Sequence, residues 1–236
     1  MTILLTGGQG TLGTELQKLI HCYAPKSYLF DITKENPNVD QFDLIVHCAA
    51  YTDLLKAEKE EKDKCYKTNV IGTRNLAMTG VPMIYLSTEY VFNGEKGDYN
   101  ENDMLDPVNF YSHTKLLGEY EARHYTRCVC VRTLFKPNPY PHPTVTVDQY
   151  TSGEYVETIA PEIVKVIKLF KLMKNKFPEV LHIGGRRKSN FDLARQTIQP
   201  KTITVQTIKD ETGLQLPKDT SLDSTLWRSI KQENGL

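Results

Sequence analysis

Tyr111 and Lys115, in the run Tyr111-Ser112-His113-Thr114-Lys115, are the residues whose types and spacing most directly permit chemistry. On a helix, side chains four apart share a face, so a phenol and an ammonium can enter one pocket. An ammonium beside a phenol favours the phenolate and lowers its pKa from about 10 towards working pH. A tyrosine so placed can give or take a proton. The pair alone is a common surface pattern, so its meaning depends on the elements that carry it to a ligand.

Those elements alternate. Thr2–Leu5 reads as a strand, Leu12–His21 as a helix opened by glycines, and Phe42–Cys48 as a second strand. Ala57–Leu76 reads as a helix, Met83–Ser87 as a strand, Tyr111–Arg123 as a helix and Cys128–Leu134 as a fourth strand. Such alternation predicts a parallel sheet covered by helices on both faces. Beyond Leu134 the prolines 137, 139, 141 and 143 exclude helix or central strand. A strand-like piece (Thr144–Gln149), a helix (Glu157–Met173), a strand (Val180–Ile183) and two short helices then suggest a smaller lobe.

Thr6-Gly7-Gly8-Gln9-Gly10-Thr11-Leu12-Gly13 joins the first strand to the first helix, with Gly7, Gly10 and Gly13 at Gly-x-x-Gly-x-x-Gly spacing. A dinucleotide needs a turn with unusual backbone angles, room for a pyrophosphate and close helix–strand packing. The helix N-terminus then offers free N–H groups to the anion, and strand-before with helix-after is the context that gives the motif weight. An acidic residue about 20 positions on would grip the adenosine ribose. Asp31, followed by Ile32, is the candidate, either ending a second strand or lying after a third. It does not choose between NAD and NADP. The expected architecture is therefore α/β and Rossmann-like, a doubly wound parallel sheet. Residues 1–135 form the dinucleotide-binding domain, and residues 136–236 a small, reduced C-terminal substrate lobe interleaved with it.

The bulk numbers remove other classes. In 236 residues, 29 basic side chains balance 29 acidic ones, so there is no global basic field for nucleic acid. No apolar run reaches the ~18 residues of a membrane span, and Met1 leads straight into Ile3-Leu4-Leu5 without a secretory leader. The five cysteines (Cys22, Cys48, Cys65, Cys128, Cys130) lack metal-ligand spacing, so no metal is expected. Cys128 and Cys130 alternate with Val129 and Val131 and read as buried strand residues on one face. A reducing, cytoplasmic compartment fits this usage.

With these residues in view, the chain resembles the extended short-chain dehydrogenases. The segments that carry the likeness are Thr6–Gly13, Cys48-Ala49-Ala50-Tyr51-Thr52, Leu86-Ser87-Thr88-Glu89-Tyr90-Val91-Phe92-Asn93-Gly94 and Tyr111–Lys115. Ser-Thr-Glu-Tyr-Val-Phe-x-Gly is similar to the Ser-Thr-Asp-Tyr-Val-Phe-x-Gly of the dTDP-4-dehydrorhamnose reductase family. Asp148-Gln149-Tyr150, His182-Ile183-Gly184-Gly185 and Pro217–Asp223 follow in the family's order. The resemblance implies that NADPH or NADH reduces the 4-keto group of a nucleoside-diphosphate 4-keto-6-deoxyhexose, as in deoxysugar and rhamnose biosynthesis. Tyr111 would give the proton. Lys115 would hold the nicotinamide ribose and depress the tyrosine pKa, and Thr88 would hydrogen-bond the carbonyl. Ala49, Ala50 and Tyr51 would lie against the cofactor. Thr88 also has an ordinary reading, a strand-end hydroxyl bonding its own turn. The implied partner is the sugar nucleotide, with no nucleic acid or membrane, and a homodimer is the implied assembly.

The chain also departs from the family. Family members are longer, and the stretch before Asp31 and the proline-rich Phe135–Pro143 are cut down. The family's Val-Asp-Lys-Ala-Glu appears as Leu54-Leu55-Lys56-Ala57-Glu58, and the arginine before the late proline is Leu216. These changes keep two alternatives open: a catalytically idle NAD(P)-binding regulatory subunit, and a bifunctional UDP-sugar epimerase/reductase. Arg186-Arg187-Lys188 reads as a solvated loop or as a diphosphate contact. Tyr150 and Trp227 read as base-stacking or packing residues. His113 should face away from the pair, and Lys59–Lys67 reads as an exposed helical face.

Overall fold

The computed structural model describes residues 1–34, 38–142, 144–199, 202–208 and 213–236. Pro143 of the proline-rich stretch lies outside them. The chain runs β1 (Ile3–Thr6), α1 (Thr11–Leu19), β2 (Leu44–His47), α2 (Leu54–Lys59), α3 (Lys62–Tyr66), a π-helical turn (Lys67–Ile71), α4 (Gly72–Ala77), β3 (Met83–Thr88), α5 (Phe110–Tyr125) and β4 (Cys128–Thr133). It continues through β5 (Phe135–Lys136), β6 (Thr144–Thr146), β7 (Tyr150–Thr151), β8 (Glu154–Tyr155), α6 (Val156–Met173), β9 (Val180–His182), β10 (Lys188–Ser189), α7 (Asn190–Ala194), β11 (Thr204–Gln206) and α8 (Thr225–Glu233).

Strands β1-β2-β3-β4-β9 form one parallel sheet. Their near-continuous apolar runs are what a sheet buried on both faces requires. Along β1, Ile3 and Leu5 pack with Leu12 and Leu16 of α1 and with the apolar face of α6. Leu4 packs on the other face with Leu76 of α4 and Ala122 of α5. Cys128 and Cys130 face the second cluster while Val129 and Val131 face the first, as the alternation predicted.

Three features differ from the sequence reading. Among the described residues, the stretch between α1 and β2 supplies one bridging residue rather than a further strand: Tyr23 bridges Leu4 on the side of β1 opposite β2. Asp31 thus ends no strand and lies in a turn between that bridge and β2. The helix expected over Ala57–Leu76 is broken after Lys59 and carries the π turn. Glu61 leaves the helical path and accepts a hydrogen bond from the Tyr51 hydroxyl. The π turn aims Asn69 at the 49–51 loop, where it accepts from the Tyr51 amide (2.8 Å) and donates to the Tyr51 carbonyl (3.1 Å). Thr144–Gln149 keeps strand geometry only to Thr146.

Because the chain leaves β1, returns on one side at Tyr23 and crosses to β2 on the other, the switch point of the sheet lies at the C-terminal ends of β1 and β2. That is where open α/β sheets form their binding crevice.

Candidate active site

The turn after β1 is built for close approach. Gly7 has φ +70°, and a Cβ there would lie 2.6 Å from the Ala49 amide nitrogen. Gly10 caps α1 without any side-chain hydrogen bond. The first-turn N–H groups of α1 are therefore left for an anion. From this loop a cleft of about 710 Å³ extends over the ends of β3 and β4, lined by Gly7, Gly10, Thr11, Leu12, Gly13, Ala50, Thr88, Tyr111 and Lys115. A second hollow of about 360 Å³ shares Gly7, Gly10 and Ala50 and continues to Asp31, Ile32 and Ala49. Together they form one elongated groove bent over the glycine loop, with the dimensions and donors that a dinucleotide needs.

Eleven of the twelve residues expected at the cofactor, including Tyr111 and Lys115, line one hollow or the other. Tyr51 does not. Its amide and hydroxyl are held by Asn69 and Glu61, and its ring packs with Ala57, Cys65 and Tyr111. Asp31 accepts from the Thr33 amide (3.0 Å) and hydroxyl (2.7 Å), which holds its carboxyl below the usual range. It is thus an anion at the far end of the groove.

Helix α5 starts where Asn109 caps it, accepting from the Ser112 amide (3.0 Å). Tyr111 and Lys115 lie on its buried face, 8% and 3% exposed, while His113 is exposed. Thr88 closes β3 opposite Thr133 of β4. Its hydroxyl accepts from the Tyr90 amide (3.3 Å), so the ordinary strand-end role is present, and it also stands beside the Tyr111 phenol.

The electrostatics correct one expectation. Burial raises the Tyr111 pKa; the Thr88 hydroxyl opposes this, and Lys115 is not among the groups acting on it. The Lys115 ammonium donates instead to the Leu86 carbonyl (2.7 Å) and sits 4.2 Å from the Tyr85 ring centroid. Burial lowers its pKa to about 8, with Glu119 opposing the shift. Desolvation is the largest influence on both members of the pair, outweighing the Thr88 hydrogen bond at Tyr111 and the Glu119 charge at Lys115. Tyr111 is a protonated acid at neutral pH, the form that can deliver a proton.

The lining also includes residues that the sequence marked only as departures from the family, in Phe135–Pro143 and at Leu216. Leu134, Phe135, Lys136 and Pro137 follow β4 into the cleft, and Leu214 and Leu216 close its outer side. For the residues after β4 the available signal was position: they extend from the C-terminal end of a central strand. Cys48 lines both hollows as a thiol pushed up to about 12 by burial. Elsewhere the remaining candidates are held by partners within the protein. Arg187 stacks on Tyr150 at 3.8 Å and pairs with Asp219, and Lys188 pairs with Glu154. Trp227 is buried and donates to Glu162. Among the described residues, no group of three or more His, Cys, Asp or Glu side chains is placed to hold a metal, and no helix is long and apolar enough to cross a membrane.

Comparison with known proteins agrees with this geometry. Residues 1–135 match the family model described as RmlD substrate binding domain. A dTDP-4-dehydrorhamnose reductase of Mycolicibacterium smegmatis is 36% identical over 132 residues, 50% of this chain and 40% of that protein. The chain spans about half the length, or less, of the curated relatives it matches. Among solved structures, a dTDP-4-dehydrorhamnose reductase of Clostridium acetobutylicum superposes with a TM-score of 0.85 at 25% identity, covering 98% of this chain and 93% of that one. One from Bacillus anthracis in complex with NADP does so with a TM-score of 0.79 at 25% identity, covering 97% and 92%.

Proposed function

Because the chain belongs to the RmlD substrate binding domain family, we propose that it is an NAD(P)H-dependent reductase of the 4-keto group of a nucleoside-diphosphate 4-keto-6-deoxyhexose. The observation that carries the reading is the meeting of Thr88, Tyr111 and Lys115 in one cleft that is continuous with the glycine loop. A protein that only binds a dinucleotide has no chemical use for a buried phenol beside a strand-end hydroxyl.

Gly7, Gly10, Gly13 and the start of α1 hold the pyrophosphate, and Asp31 takes the adenosine ribose. Lys115 reaches the nicotinamide ribose. Bound NADPH or NADH supplies the hydride to C4 of the sugar. Thr88 donates a hydrogen bond to the keto oxygen and stabilises the charge that develops there. Tyr111 delivers its proton to that oxygen, leaving the 4-hydroxyl. The buried phenol, held protonated, suits the reducing direction. The bacterial relative that carries NADP favours NADPH as the donor, and a homodimer is the expected assembly. The five unpaired cysteines suit a cytoplasmic setting.

The test is incubation of the full chain with NADPH or NADH and a dTDP- or UDP-4-keto-6-deoxyhexose, following the reduced-nicotinamide absorbance. A fall with formation of the 4-hydroxy product supports the reading. If cofactor binds but absorbance holds steady with every such sugar, the chain is instead the idle regulatory subunit. Leu216, standing in the cleft wall where the family has arginine, gives that second reading its motive.

A further inference from the structure

The proposed reduction leaves a charged side chain of the cleft without a task. Lys136 lines the sugar half, partly shielded from solvent. Among the described residues it makes no ion pair and no side-chain hydrogen bond. Its ammonium lies 5.8 Å from the Tyr140 ring centroid. The carboxyl whose field reaches it, Glu89, turns one oxygen to the Thr220 hydroxyl at 2.7 Å and leaves the other unpaired. An ammonium drawn out of water without a partner is destabilising. Its neighbours in the wall, Leu134, Phe135 and Pro137, show that apolar residues fit there.

Among the described residues, the cleft wall holds two cationic side chains, Lys115 and Lys136, and no carboxylate. Lys115 is engaged with the Leu86 carbonyl and assigned to the nicotinamide ribose, so Lys136 is the charge left for the substrate. Its place in the groove narrows the choice of ligand group. Thr133 lies opposite Thr88 in the sheet, and Lys136 follows three residues later, within ~10 Å of Thr133 along the chain. It is absent from the hollow that holds Asp31. The ammonium therefore belongs to the end of the groove where Thr88 and Tyr111 act. At the outer wall Leu216 supplies no charge of its own.

We infer that Lys136 is a substrate-recognising residue whose ammonium binds an anionic oxygen group of the sugar nucleotide: the sugar-proximal phosphate, or a carboxylate carried by the sugar. The inference rests on the reading of this cleft as a sugar-nucleotide site. A charge placed here anchors the substrate beside Tyr111 and rejects neutral carbonyl compounds.

The test is equilibrium binding of dTDP, UDP, UDP-glucose and UDP-glucuronate to the full chain saturated with NADP, for wild type, Lys136→Met and Lys136→Arg. Lys136→Met is expected to weaken binding at least tenfold, Lys136→Arg no more than threefold, and Lys136→Met to melt no lower than wild type. Loss on all four ligands assigns the charge to the diphosphate, and loss confined to UDP-glucuronate assigns it to a sugar carboxylate. Binding within twofold of wild type for every ligand overturns the inference. So does equal loss in the Met and Arg variants, since shape rather than charge would then be at work. If wild type binds none of the four, the sugar-nucleotide reading falls with it. Should Lys136→Met fail to fold, Lys136→Gln carries the same comparison.

Discussion

Tyr111 has two properties that act together: it is 8% exposed, and burial outweighs the Thr88 hydroxyl, the one neighbour that favours its ionisation. It is therefore a proton donor over the whole physiological range. Tyr111→Phe keeps the ring and removes the proton, so turnover of a 4-keto sugar nucleotide should fall about 10²–10⁴-fold with cofactor affinity little changed; retained turnover would remove Tyr111 from its role. Lys115 offers a pH test. Its pKa is about 8 in the folded chain against 10.5 as the ordinary value. Below pH 8 both states hold the proton and the full cost of burying the ammonium is felt. Between pH 8 and 10.5 the native state releases its proton before the unfolded state does, so this contribution to stability improves as pH rises. Relative to Lys115→Met, wild type should therefore gain in melting temperature from pH 8 to 10. A constant difference would mean that the ammonium is not desolvated. The spacing of Tyr111 and Lys115 was legible in the sequence because helical periodicity fixes which side chains share a face. Their electrostatics were not, since desolvation depends on Leu86, Tyr85 and the rest of the wall, which the spacing does not report.

Helix α5 aims the pair, and its position depends on what it packs against. Gly118, one turn beyond Thr114, lets the helix rest on the sheet and on the π turn: a Cβ there would come 2.7 Å from the Asn69 carbonyl oxygen and would collide with the Tyr85 hydroxyl. Asn69 in turn donates to the Thr114 hydroxyl (2.9 Å) on α5 and holds both polar groups of the Tyr51 backbone. The π turn thus ties the loop after β2 to the helix that carries Tyr111 and Lys115, in keeping with the frequent use of π-bulges at functional sites. Gly118→Ala should lower stability by about 1–3 kcal/mol through overpacking. Because a displacement of ~1 Å at the reacting groups can cost on the order of 10²-fold, kcat should drop more than KM rises. Unfolding by denaturant and steady-state kinetics check the two halves, and unchanged values in both would show that α5 has slack. The helix pattern over 57–76 was readable as apolar periodicity. Its break at Glu60 and its π turn were not, because Glu61 and Asn69 leave the ladder to satisfy partners some 10 and 18 residues away in sequence.

For the molecule as a whole, the sheet and its two covered faces followed from the strand–helix alternation, and the crevice followed from the glycine loop. The bridge at Tyr23 and the wall after β4 did not, since one bridging residue and a proline-rich run carry no period. The same burial that makes the site also sets how the fold responds to acid. His47 sits between the Thr6 and Thr73 hydroxyls (2.7 and 3.0 Å), and His182 lies 2.9 Å from the Tyr99 carbonyl with Arg132 close by. Burial pushes both down to about 3 from 6.5. Each contributes stability that is complete above pH 6.5 and lost as pH falls towards 3, because the unfolded chain takes up the proton first, at about 1.4 kcal/mol per pH unit. Glu89 acts in the opposite sense, because burial raises it to about 7 from 4.5, so protonation favours the native state as pH falls through that window. Between pH 6.5 and 4.5 two histidine protons are offset by one carboxyl proton, leaving a net slope of about 1.4 kcal/mol per pH unit. Below pH 4.5 the offset ends and carboxyls such as Glu162, lowered by Lys165, Lys231 and Trp227, add their own loss. Acid unfolding should therefore be gentle to about pH 4.5 and steep beneath it. His182→Asn, which can still donate to the Tyr99 carbonyl, should nearly flatten the upper window. Denaturant midpoints measured from pH 7 to 4 decide the matter, and a variant as pH-dependent as wild type would show that His182 is not held neutral by the fold.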